Sequence, residues 1–210
     1  MENKNGVLLA SGGLDSTTMA YWLLSKGINF VPLFINYGQH CASTEYQTLL
    51  KVLPSSHLDK VEFMNISDIY KKSTSRFIQP ANLWEDDIQA DDLYIPYRNT
   101  LLLTVGASFA RTIGLTYVYS AFINSNHAKE IDCSNEFFGK MDDLLADYGS
   151  VKIEMPFRYY SKYDVAKIGI ELGAKIGDTF SCQASPQIPC GACPNCVDRL
   201  DALKQLESTT

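Results

Sequence analysis

Short apolar runs alternate with stretches of helical spacing from the first residues of the chain onward. Gly6–Ala10 is a strand-sized apolar run that ends in Ser11-Gly12-Gly13. From Ser16 to Lys26, Met19, Trp22 and Leu23 recur at helical spacing, and Gly27 is placed as a stop. Phe30–Ile35 is a second buried run, broken by Tyr37-Gly38-Gln39, and Pro32 inside it blurs its limits. Thr44–Leu53 predicts a helix stopped by Pro54, and Val61–Ile66 predicts a third strand. Arg98–Arg111 is apolar nearly all round, as for a helix packed under a sheet. Tyr117–Ala121 follows as a strand, Glu136–Tyr148 as an amphipathic helix and Val151–Met155 as a last strand. Lys162–Leu172 predicts a helix ended by Gly173, and Asp198–Leu206 a short closing helix. Between these, Ile69–Pro96 is weakly patterned and carries Glu85, Asp86, Asp87, Asp91 and Asp92. A stretch of that length reads as a functional lid or a partly ordered insertion.

Strands alternating with helices predict an α/β fold, a doubly wound and mainly parallel sheet, with the site at the carboxyl ends of its strands. The 210 residues suffice for one such domain with a sizeable core. No apolar run approaches a membrane span, and the N-terminus lacks the apolar region of a secretory signal. The net charge of −6 makes a long phosphate backbone an unsuitable partner, so no nucleic acid is expected.

The sharpest chemical signal is Ser11-Gly12-Gly13-Leu14-Asp15-Ser16-Thr17, between the first strand and the first helix. Two glycines let the backbone approach a ligand closely, and the free N–H groups of loop and helix start then face an anion. Ser11, Ser16 and Thr17 add hydroxyls. Asp15 is wrong for a bare anion site and implies a Mg²⁺ ion between it and phosphates. The loop lacks the lysine of a Walker A motif. An ordinary glycine-rich turn with a serine cap explains less of this pattern.

The second signal is Cys182, Cys190, Cys193 and Cys196. Cysteines two residues apart form a knuckle that presents two thiolates to one tetrahedral metal, and four thiolates close the sphere around a structural Zn²⁺. Six cysteines without an export signal place the chain in a reducing compartment, so the cytoplasm is the expected location.

Several motifs in order resemble one family. The loop Ala10–Thr18 resembles the pyrophosphate loop of the ATP-pyrophosphatase superfamily, whose fold is Rossmann-like and adenine nucleotide alpha hydrolase-like. With Tyr37-Gly38-Gln39, Pro96-Tyr97-Arg98-Asn99, Asp132-Cys133, Ser161-Lys162 and the cysteine quartet, it resembles the 7-cyano-7-deazaguanine synthase family of queuosine biosynthesis. The resemblance implies an ATP-pyrophosphatase-type α/β domain over residues 1–175 and a zinc-binding segment over 176–210 packed on it. It implies an ATP-dependent C–N ligase in which the carboxylate of 7-carboxy-7-deazaguanine is adenylated, converted by ammonia to the amide, then adenylated again and dehydrated to the nitrile. Ala10, Ser11, Gly12, Gly13, Leu14, Asp15, Ser16 and Thr17 match the nucleotide loop, and Asp15, Lys162 and Arg98 match positions with catalytic roles. ATP, Mg²⁺ and Zn²⁺ are the implied cofactors, a deazaguanine and an amine donor the partners, and a homodimer the assembly.

Three stretches depart from the family wording. His40-Cys41 follows Gln39 where Arg-His is usual, Ser134 follows Cys133 where arginine is usual, and Asn124–Glu130, with His127, differs throughout. Two missing arginines touch the acceptor more than the adenylation step, and His40 and His127 are candidate replacements. The acceptor therefore stays open between ammonia and a protein amine, the latter as in divergent family members of anti-phage systems. An inactive nucleotide-binding module and a tRNA-modifying relative are the readings of other classes. The intact Asp15 opposes the first, and the net charge opposes the second.

Overall fold

A computed structural model of the chain describes residues 4–79, 94–123 and 131–208. The acidic residues at 85–92 and the variant segment 124–130 with His127 lie outside the described residues. Five strands form one parallel sheet: β1 (Gly6–Leu9), β2 (Phe30–Asn36), β3 (Glu62–Asn65), β4 (Tyr117–Tyr119) and β5 (Lys152–Glu154), in the order β3-β2-β1-β4-β5. Six α-helices accompany them among the described residues: α1 (Leu14–Ser25), α2 (Ala42–Val52), α3 (Arg98–Thr112), α4 (Asn135–Gly149), α5 (Lys162–Glu171) and α6 (Pro194–Glu207).

Alternation along the strands sorts the side chains onto two faces. Leu8, Phe30, Phe34 and Tyr119 bury against α1, α2, α5 and α6 through Leu14, Met19, Leu23, Leu49, Val165 and Leu206. Val7, Leu33, Ile35 and Val118 face the other way, toward Ala107 and Ala110 of α3. Phe138 and Met141 of α4 join Leu103 and Ile153 beyond them. Both faces are covered, as a parallel sheet requires. The strand order reverses at β1, so its carboxyl end opens into the crevice where ligands of such sheets bind.

Pro32 does not break β2. Ala10 N donates to Leu33 O, and Ile66 N donates to Asn36 O, so even-numbered residues of β2 turn their backbone polar groups toward β3. Pairing with β3 begins only at Leu33, so the missing N–H of Pro32 falls before that ladder.

Two elements differ from the sequence expectation. The apolar surface of α3 is only partly covered: Leu103, Ala107 and Ala110 are buried, whereas Leu101, Leu102 and Val105 are half-exposed. The closing helix starts at Pro194, four residues before the predicted Asp198, with Cys193 as its N-cap. Pro194 has no N–H to leave unsatisfied in the first turn, so the last cysteine knuckle runs directly into the helix. No helix among the described residues is long and apolar enough to cross a membrane.

Candidate active site

The glycine-serine loop leaves β1 at Leu9 and enters α1 at Leu14, with Gly13 as the N-cap. Its own hydroxyls hold its shape. Ser16 Oγ receives Ser11 N at 3.2 Å and donates to Gly13 O at 3.2 Å, and Gly13 N donates to Ser11 Oγ at 3.3 Å. Gly12 has φ +76°, and a Cβ there would lie 2.6 Å from Glu45 O and 2.7 Å from Leu49 N. The loop is thus pressed against the backbone of α2, and only glycine fits. Ala10, Leu14 and Thr17 have buried side chains, so they can offer a ligand little beyond backbone groups.

Lys162 and Asp15 meet. Lys162 Nζ donates to Asp15 Oδ2 at 2.5 Å, joining the first turns of α5 and α1. The helix starts there because Ser161 and Asp164 form a capping box, with Ser161 N to Asp164 Oδ2 at 2.9 Å and Asp164 N to Ser161 Oγ at 3.2 Å. Asp15 Oδ1 is buried with no hydrogen-bond partner. A buried, orphaned carboxylate oxygen beside an anion-binding loop fits a divalent cation that shares its other ligands with phosphates and water.

Arg98 stands elsewhere. It opens α3 and stacks 4.9 Å over the Phe77 ring, and it lines a cavity of about 440 Å³. Ala10 and Ser11 of the loop, Tyr37, Asp132 and Cys133 line the same cavity; Asp15 and Lys162 do not. The cavity size suits a small ligand. Its far wall is tied together by Asn99, which is buried and donates from N to Asp132 Oδ2 at 3.3 Å and from Nδ2 to Asp132 O at 3.0 Å.

Glu45, which sequence reasoning missed, sits on the near wall beside Gln39 of the Tyr37-Gly38-Gln39 motif. Gln39 Nε2 donates to Glu45 Oε2 at 2.9 Å, while Gln39 Oε1 accepts from Tyr37 N at 2.9 Å. Burial pushes the Glu45 carboxyl up to about 7, against the lowering effects of Gln39 and Arg98. Burial also holds the Tyr37 phenol well above its ordinary value, although Arg98 opposes this. The only signal in the chain was a carboxylate in the first turn of a predicted helix, which is ordinary for a helix N-terminus.

The variant positions have local tasks. His40 Nδ1 lies 3.0 Å from Phe77 O, and its backbone N donates to the same oxygen at 3.0 Å. Ser134 caps α4, accepting from Phe137 N at 3.0 Å. Cys41 is buried against the cysteine quartet, and burial together with Glu45 pushes its thiol up to about 12.

The sulfurs of Cys182, Cys190, Cys193 and Cys196 all lie within 4.8 Å of one another. Cys182 Sγ accepts N–H bonds from Ala184, Ser185 and Cys190 at 3.3–3.4 Å, and Cys190 Sγ from Ala192 and Cys193 at 3.3–3.4 Å. Bonds from the Cys193 and Cys196 thiols hold Cys182 well below the usual thiol range, while Cys193 is raised to about 11. Converging sulfurs with N–H donors behind them fit a tetrahedral thiolate metal. The segment also touches the nucleotide loop, because Phe180 N donates to Gly12 O at 3.2 Å.

A parallel sheet of this order, with a glycine-serine loop after its first strand, defines a Rossmann-like α/β protein. A 4-thiouridine synthetase–RNA complex with bound ATP shares the fold at TM-score 0.52 and 14% identity, over 98% of this chain and 51% of that one. The family model "Queuosine biosynthesis protein QueC" matches residues 5–207, and the chain belongs to that family of enzymes. The 7-cyano-7-deazaguanine synthase of Methanospirillum hungatei is 30% identical over 95% of this chain and 94% of its own. That of Archaeoglobus fulgidus is 32% identical over 93% and 84%.

Proposed function

We propose that the chain makes 7-cyano-7-deazaguanine from 7-carboxy-7-deazaguanine, ATP and ammonia. The observation that carries this reading is that the glycine-serine loop, through Ala10 and Ser11, lines the same cavity as Arg98. A carboxylate bound in that cavity attacks the α-phosphorus of ATP, the bond to pyrophosphate breaks, and an acyl adenylate forms. Ammonia then displaces AMP to give the amide. A second adenylation, on the amide oxygen, turns that oxygen into a leaving group, and loss of AMP and protons from nitrogen leaves the nitrile.

The chain contributes alignment and charge. Loop N–H groups and the Ser11 and Ser16 hydroxyls hold the pyrophosphate end. Asp15 would hold Mg²⁺, which neutralises phosphate charge. Lys162, paired with Asp15 beside the loop, would meet the charge that develops on the departing pyrophosphate, and Arg98 on the cavity wall would meet the substrate side. Cys182, Cys190, Cys193 and Cys196 would hold a structural Zn²⁺ that keeps Phe180 against the loop.

The test is a mass spectrum of products from ATP and 7-carboxy-7-deazaguanine, with and without ammonium. AMP, pyrophosphate and the nitrile, the last only with ammonium, are expected. ADP and phosphate would overturn the reading. Adenylate formation without nitrile, together with a deazaguanine mass added to a protein lysine, would move the acceptor to a protein amine.

A further inference from the structure

The nitrile reading leaves one chemical requirement unassigned. Forming the C–N bond from ammonia releases one proton from nitrogen, and turning the amide into the nitrile releases two more. A base on the cavity wall beside the acyl carbon would speed both releases.

The described wall offers few acceptors. The Arg98 guanidinium offers only donors. Tyr37 is held neutral by burial and is paired with Arg98. Asp132 has Asn99 N on Oδ2 at 3.3 Å and the Cys133 thiol facing Oδ1, so both of its oxygens are engaged in holding the wall together. His40 is not on the cavity wall, and its Nδ1 is occupied by Phe77 O. Glu45 differs from all of these. Gln39 anchors Oε2 at 2.9 Å, and no described hydrogen bond takes Oε1. Gln39 is itself fixed by Ile35 O at 3.3 Å and Tyr37 N at 2.9 Å, so the carboxylate is held in place rather than free to swing. The backbone of Glu45 is packed on Gly12, and its side chain lines the same cavity as Ser11 of the loop and Arg98.

We propose that Glu45 is the general base of the nitrogen steps, taking through Oε1 the protons that leave ammonia and the amide as C–N and then C≡N bonds form. This rests on the nitrile-forming reading above. In the amide step the nitrogen lone pair forms the C–N bond, the C–O bond to AMP breaks with its pair on AMP, and the N–H pair returns to nitrogen as its proton passes to Glu45. In the nitrile step the adenylated amide first loses one proton to give the imidate. Loss of the second proton, again to Glu45, supplies electrons for the C≡N bond as the C–O bond to AMP breaks with its pair on AMP, and each proton then passes to solvent. The carboxyl is suited to this task because burial raises it to about 7, where a base both accepts and returns protons near neutral pH. The titratable and charged groups facing it among the described residues are Arg98 from α3, Tyr37 after β2 and Cys41 on its own helix turn.

Wild type, Glu45→Gln and Glu45→Asp are to be compared with 7-carboxy-7-deazaguanine, ATP, Mg²⁺ and a fixed concentration of free ammonia from pH 5.5 to 9. Two rates are read: ATP–pyrophosphate exchange, which needs only adenylation, and nitrile formation. In Glu45→Gln the ratio of nitrile formation to exchange should fall about 100-fold or more, the range of general-base catalysis. Wild type should show an acid limb near pH 7 in its nitrile rate, and Glu45→Gln should lose it. Glu45→Asp should keep that limb at a reduced rate, which a merely structural role would not produce. An unchanged ratio in Glu45→Gln overturns the proposal, as does an acid limb that persists in it. Should Glu45→Gln not fold, a Glu45→Asp profile without the limb overturns it equally. Absence of exchange in wild type overturns the nitrile reading, and the proposal with it.

Discussion

Lys162 reaches across 147 positions of sequence to place its ammonium 2.5 Å from Asp15 Oδ2, with both side chains largely shielded from solvent. Each stands in a helix first turn, where the carboxylate is favoured and the ammonium is not. The pair resolves that conflict: Asp15 compensates a cation that α5 by itself would disfavour. It also keeps Lys162 extended beside the loop, ready to exchange one anion for another.

Lys162→Ala should lower turnover on the order of 100-fold, the usual loss for one electrostatic contact to developing charge. Asp15→Asn should cost at least as much, with a raised Mg²⁺ requirement as its signature. Removing one partner of a shielded pair also costs stability. A loss of about 1 kcal/mol in a chain of this size moves Tm by about 2–4 °C, which calorimetry would resolve. Wild-type turnover in either variant would remove that residue from the site.

Gly12→Ala and Gly13→Ala should separate cleanly. At Gly12 a methyl group meets backbone atoms of α2 at 2.6 and 2.7 Å, at a φ of +76°. Backbone cannot yield as a side chain can, so a clear drop in Tm and loss of activity are expected. At Gly13 φ is −76°, and the nearest atom is the Ser11 hydroxyl at 3.2 Å. That variant should melt near wild type and lose activity only as far as the added methyl crowds the anion. Equal melting of the two would show that the loop is not pressed on α2.

Metal analysis of chain purified without chelator should find about one zinc per chain, released by Cys193→Ser. The segment's Phe180 N bonds to Gly12 O, so metal loss should also raise the KM for ATP. A metal-free chain with unchanged Tm and KM would make the quartet a set of buried thiols.

Stability should report the buried carboxyl independently of activity. Glu45 is raised from 4.5 to about 7 in the folded chain, so the folded state binds its proton more tightly than the unfolded state does. The stability this contributes is full below about pH 4.5 and is lost as pH rises through about 7. Glu45→Gln cannot ionise, so its Tm should gain on wild type between pH 5 and pH 8. A constant difference across that window would contradict the raised carboxyl.

Ser134→Ala removes the cap that receives Phe137 N at 3.0 Å, and should cost about 1 kcal/mol with turnover per folded chain unchanged. A loss of turnover at full stability would return Ser134 to the acceptor pocket.

The order of strands and helices, the glycine-serine loop and the cysteine quartet were legible along the chain because each is written in local spacing. Period-two and helical repeats, a glycine pair after a strand and cysteines two apart depend on neighbours a few residues away. Even there, Cys193-Pro194-Asn195-Cys196 reads as loop, although the helix begins at Pro194 with Cys193 as its N-cap. The Asp15–Lys162 pair, the Gln39–Glu45 anchor and the contact of Cys41 with the quartet have no such local signature. They follow from the sheet order β3-β2-β1-β4-β5, which brings the turn after β2 beside the loop after β1 and the start of α3 over both. Sequence alone determined which residue types could bind phosphate and metal. Burial and three-dimensional neighbours decided that Glu45, an ordinary first-turn carboxylate by position, lies on the cavity wall with one oxygen held by Gln39.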